Sequence, residues 1–227
     1  MSPQMNFRKL TISLAMFTAM VLGSAAATRA DTVTFSLTSA NFGGFPSPYG
    51  SVLVNRTSTT AATITFAADE THAGLTYLFG AQGAVGVNFN GAVTLAGAIT
   101  ADLSLGGVNG LATAGAGNED GFGSFNFTID NTDGFGNAVR GVTFSVTLNS
   151  GTWASASQVL TANASGNSVA GHLFICGSSP CDRAQPALLT GYVRNGPNAP
   201  VPESTSMLLL GTGLVGVAAG LRRRFRK

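Results

Sequence analysis

The sequence predicts an all-β fold, an antiparallel β-sandwich, set between two terminal segments that serve export rather than folding. Three observations carry this reading. The middle of the chain is rich in Gly, Thr, Ser, Ala, Asn, Val and Phe, a mixture that favours strands and turns over helices. Apolar and small polar residues alternate there with period two, the signature of a strand with one buried face. Turn-forming clusters separate most neighbouring runs, and no stretch between them holds a convincing 3.6-residue period. About ten short strands of this kind fit a sandwich, in either jelly-roll or immunoglobulin-like order.

Taken from its start, the chain opens on a secretory signal peptide, residues 1–30. Arg8 and Lys9 form the positive n-region, and Leu10 to Leu22 the apolar h-region. Ala25-Ala26-Ala27 or Thr28-Arg29-Ala30 is the small-residue cleavage site. A cut after Ala30 makes Asp31 the first residue of the mature protein. The h-region is 13 residues long, too short for a comfortable membrane span. Sec translocon and signal peptidase are the partners this leader implies.

The ectodomain covers 31–194. Val33-Thr34-Phe35-Ser36-Leu37, Ile64-Thr65-Phe66 and Val87-Asn88-Phe89 alternate with period two. So do Phe125-Asn126-Phe127-Thr128-Ile129 and 142–148, and the Asp/Asn/Gly cluster at 130–137 between them is of the type that closes a hairpin. Further strand-like runs lie at 74–79, 92–105, 153–160, 169–176 and 188–193. Between Asp31 and Glu203 four arginines and no lysine stand against ten acids, a net charge of −6. That balance argues against nucleic acid, which demands a basic footprint.

Cys176 and Cys181 are the only cysteines. In an exported chain an even count with a Gly-Ser-Ser-Pro spacer argues for a disulfide that closes a short loop. The spacing is wider than a redox Cys-x-x-Cys, and two thiols are too few for structural zinc.

Candidates for chemistry are thin. His72 and His172 have no ligand spacing, and no Gly-x-Ser-x-Gly context accompanies the serines, so no catalytic residue is assigned. Asn118-Glu119-Asp120-Gly121 and the 130–137 cluster could offer oxygens to calcium, but neither has the spacing of a calcium loop, and turn chemistry accounts for both. No metal or cofactor is assigned. Trp153 is the only tryptophan and the one candidate for a sugar-stacking platform, although a core position fits it better.

Residues 195–200, Asn-Gly-Pro-Asn-Ala-Pro, read as a linker. The rest, 201–227, has three parts. Val201, Pro202, Glu203 and Ser204 form a short motif; 205–221 is an uncharged apolar run; Arg222, Arg223, Arg224, Arg226 and Lys227 close the chain. As a helix the run rises roughly 26 Å, at the short end of what crosses a bilayer core. The cations behind it act as a stop-transfer signal that stays cytoplasmic, leaving everything before Val201 outside that membrane.

This tripartite end resembles the PEP-CTERM sorting signal of Gram-negative bacteria, with Ser204 where the family usually has a second proline. The matching positions are Val201-Pro202-Glu203, Leu209-Leu210-Gly211, Gly213-Leu214 and the arginines from 222 to 224. The resemblance implies recognition and cutting near the Pro-Glu motif by an exosortase, a membrane-embedded protease-like enzyme. It also implies an inner-membrane intermediate, delivery to the cell surface or extracellular matrix, and association with exopolysaccharide in a biofilm. The expectation is a non-enzymatic surface or matrix protein. A glycan- or small-ligand-binding sandwich using Trp153 is the alternative, and a secreted hydrolase ranks last.

Overall fold

The computed structural model describes residues 31–69, 74–132 and 134–196, with the backbone of 201–202. The leader, the apolar run, the basic end, His72, Glu203 and Ser204 lie outside the described residues. Among the described residues no helix is long and apolar enough to cross a membrane.

The protein is all-β and antiparallel. Its strands are β1 (Asp31–Ala40), β2 (Gly50–Arg56), β3 (Ala61–Ala68), β4 (Thr76–Phe79), β5 (Val85–Val87), β6 (Val93–Leu95), β7 (Thr100–Asp102), β8 (Ala112–Glu119), β9 (Gly123–Asp130), β10 (Gly141–Leu148), β11 (Val169–Cys176), β12 (Leu189–Asn195) and β13 (Val201–Pro202). All are hydrogen-bonded into one curled sheet in the order β6-β10-β3-β2-β1-β12-β11-β5-β9-β8. β13 also pairs with β1, β4 with β11, and β7 with β10. The expected sandwich has two separate sheets; here the ladder runs unbroken from one half to the other.

The period-two pattern does what it predicts. Along β2, β3 and β10 buried residues alternate with part-exposed ones. Register then stacks them in rows: Val33, Val54, Ile64 and Phe144 lie side by side on the inner face, as do Phe35, Val52, Phe66 and Val142. The outer face carries the intervening Thr34, Leu53, Thr65, Thr143 and Thr100. Curling brings the two halves of the sheet together. Phe127 on β9 stacks on Phe144 of β10 at 5.4 Å between centroids, and Phe66 on β3 meets Phe79 of β4 edge-on at 5.8 Å. These inner residues form one continuous core.

Four local expectations change. β9 and β10 do not form a hairpin: they sit in opposite halves of the sheet, and 131–140 is a crossover between them. Its shape is set by Asn131, whose side-chain amide donates to Asn137 O at 2.9 Å while its Oδ1 accepts from Gly110 N and Thr132 N. The 92–105 run is two short strands, both laid on β10. The 153–160 run is not a strand but a 3-10 turn at Ala156–Gln158, followed by a lone bridge from Leu160 to Phe89. β2 and β8 were not foreseen, and Asn195, placed in the linker by sequence, is the last residue of β12.

Candidate functional site

The most unusual chemistry lies outside the main core, where the β8–β9 hairpin folds over β5. Its turn begins at Glu119, whose side chain is fully buried. Neither carboxyl oxygen has a hydrogen-bond partner among the described residues. Two glycines make the space. A Cβ at Gly83 would overlap Oε2, and one at Gly86 would come within 2.9 Å of Oε1. Phe122, Phe125, Ala170 and part-buried Tyr192 pack as a small second apolar cluster beside it, and the Arg194 guanidinium lies 5.4 Å from the Phe122 ring centre. Asp130 reaches the same place: its Oδ1 accepts from Gly83 N at 2.8 Å.

Burial strips water from the Glu119 carboxylate and Asp130 adds like-charge repulsion, which together push its pKa up to about 8. At neutral pH the group therefore holds its proton. Tyr192 is raised as well, by burial first and then by Glu119, Asp120 and Asp130. Its ring stacks on His172 at 4.4 Å. The imidazole Nδ1 lies 3.1 Å from Gln82 O, and Nε2 lies 2.7 Å from Thr190 Oγ1. The fold thus gathers a carboxylic acid, a phenol and an imidazole around residues 82 and 83. Sequence reading treated Glu119 and Asp130 as members of separate turns and His172 as an isolated strand residue; nothing local ties them to Gly83 and Gly86.

The sequence-assigned residues are placed as follows. Trp153 is buried in the main core, 1% exposed, with its indole N–H donating to Asn90 O at 2.9 Å, so it presents no open ring face to a sugar. Cys176 and Cys181 are joined in a disulfide with Cα atoms 5.6 Å apart. Just beyond the closed loop, Arg183 donates to four backbone carbonyls: Leu105 at 2.5 Å, Phe135 at 2.9 Å, Gly136 at 2.6 Å and Ala138 at 2.5 Å. Sequence reading gave Arg183 no role, because its partners lie on two distant loops. Val201 and Pro202 pair with β1; the remaining motif residues and the stop-transfer cations lie outside the described residues.

Asp31, the expected first mature residue, is built into the fold. Its Oδ1 receives Arg56 Nε at 2.7 Å and its Oδ2 receives Ala156 N at 2.9 Å. On the outer face, two adjoining clefts of about 410 and 300 Å³ share Ala67 and Ala68. Ser36, Ser51 and Asp69 line the first; Thr65, Thr100, Asp102, Arg140 and Thr143 line the second. Hydroxyls, backbone, the Asp69 carboxylate and one Arg–Asp pair make up their polar surface. No family model, no curated protein and no solved structure matches the chain.

Proposed function

We propose that the protein is a non-enzymatic surface or matrix protein, exported by its leader, held in the inner membrane by 205–221 and handled there by an exosortase. The observation that carries the reading is the order of the ends. A leader stands at one terminus, and at the other a Val-Pro-Glu motif, an apolar run and five cations follow one another without interruption. Two features of the body support it. The Cys176–Cys181 disulfide suits an oxidising compartment, and Asp31 is bonded where a cut after Ala30 leaves it. We read the curled sheet as two packed layers, a sandwich closed along one side by its own ladder.

Contact with exopolysaccharide belongs on the hydroxyl-lined clefts of the outer face, where Ser and Thr can exchange hydrogen bonds with a polyhydroxyl chain, and not on Trp153. The test is a soluble reporter with an export leader, fused to residues 195–227. The reading expects it in the membrane fraction of the host, and released only after cutting near Glu203. A reporter that washes freely from spheroplasts with its tail intact refutes it.

A further inference from the structure

β1 is covered unequally on its two sides. β2 pairs with it continuously from Asp31 to Leu37. On the other side β12 reaches only Leu37, Ser39 and Ala40, and its pairing ends at Asn195. The stretch of β1 from Asp31 to Ser36 therefore has an edge that β12 leaves open. It is a well-backed edge, since Val33 and Phe35 are anchored in the core. Unpaired edges of this kind template a further strand.

The chain fills this edge itself. Gly196 N donates to Ser36 O at 3.3 Å, and pairing resumes further on with Thr34 opposite Val201 and Val33 opposite Pro202. The tail thus follows β1 antiparallel, towards Asp31. Pro202 is admitted here because this short strand pairs with β1 alone, and an edge strand tolerates a residue without an N–H. Pro202, the last described residue, thus lies opposite Val33, two positions from Asp31, where the described body begins.

We infer that the lower half of β1 is a strand-acceptor edge whose resident is Val201–Pro202, so that the folded body clasps its own tail immediately ahead of Glu203. The partner this edge fits is an extended peptide taken up by backbone pairing, and the tail is that peptide in cis. The pairing stands apart from the sorting reading; only its consequence for processing rests on it. An enzyme that binds the motif as an extended chain competes with β1 for the backbone of Val201, and the strand must be lifted before the motif is read.

The experiment is a cross-link in the full chain. Thr34→Cys combined with Val201→Cys places two thiols on directly opposed residues, within disulfide reach. Ser58→Cys with Val201→Cys, on the β2–β3 turn, is the mispaired control. Non-reducing peptide maps are expected to give the 34–201 cross-link in at least about tenfold excess over the control, since backbone pairing holds residue 201 opposite residue 34 and away from residue 58. Equal yields overturn the clasp. A Glu-specific endoprotease provides a second measure on the unsubstituted protein. Cutting after Glu203 is expected to be about tenfold slower than in a free peptide of residues 198–207, and equal rates overturn the inference. In the host, a cross-linked tail that is never removed even after reduction counts against sorting and leaves the clasp standing; a tail removed from a protein that never cross-links counts against the clasp alone.

Discussion

Replacing Glu119 by Gln isolates the cost of burying an acid without a partner. The carboxyl titrates near 8 in the folded protein against an ordinary 4.5. Between those values the unfolded chain has lost the proton that the folded chain keeps. The folded state binds more protons, so stability falls as pH rises through the window and levels off above pH 8. Each pH unit is worth about 1.4 kcal/mol, so the full drop is about 5 kcal/mol, of which about 3 kcal/mol is already lost at pH 7. Glutamine has the same shape and cannot ionise. Its amide donors find no partner where Glu119 finds none, a fixed cost of about 1–3 kcal/mol that does not vary with pH. The difference between Glu119→Gln and the unsubstituted protein should therefore swing by roughly 4 kcal/mol in favour of the variant between pH 4.5 and pH 8, where each end is only half-titrated. Urea unfolding of both proteins at pH 4.5, 6, 7 and 8.5 measures it, because titration of every other group is common to the two and largely cancels. Stability curves that run parallel with pH would refute the placement of Glu119 as a neutral, unpaired acid.

Three further outcomes are expected. Arg183→Ala removes the cation that ties four carbonyls of two loops together; it should cost roughly 2–4 kcal/mol in chemical denaturation, with Arg183→Lys recovering only part because a single ammonium cannot span the four oxygens. Trp153→Ala should cost about 3–5 kcal/mol by opening the core, while leaving any retention on an exopolysaccharide column unchanged at temperatures where the variant is folded. Asp31→Ala breaks the bonds from Arg56 and Ala156 and should cost about 2–3 kcal/mol by leaving a largely buried guanidinium without its carboxylate, whereas a mature protein with extra residues ahead of Asp31 should lose little. Thermal unfolding of the mature chain distinguishes these cases.

Much of the fold was legible because the sheet has one dry face. β1, β3, β9 and β10 announce themselves by alternation, and their rows of Val, Ile and Phe fall where that alternation puts them, while β11 reads as a strand-like run. β2 was missed because Leu53 sits on the outer face between Val52 and Val54, so an apolar triplet hides the period. β8 was missed because Ala-Thr-Ala-Gly-Ala-Gly is exposed nearly throughout and buries nothing that a pattern can register. The supposed β9–β10 hairpin shows the limit of turn chemistry: Asn and Asp close a tight turn and shape a long crossover equally well, and only the packing of Phe127 on Phe144 from opposite halves of the sheet decides between them. The Glu119 site was illegible for a related reason. Its acid, its glycines and its aromatic cover come from β8, the approach to β5, β9 and β12, and none of their local contexts reports the others. The cysteine pair, by contrast, was readable, since five residues of separation and a Gly/Ser/Pro spacer are local facts.

The central claim, that the body is passed through a membrane and its tail handled afterwards, is tested most directly by the intact mass of the protein purified from its own host. The account predicts a species that begins at Asp31 and ends near Glu203, with the Cys176–Cys181 bond formed. A soluble cytoplasmic species that retains residues 1–30 and the cations from Arg222 to Lys227 would contradict it.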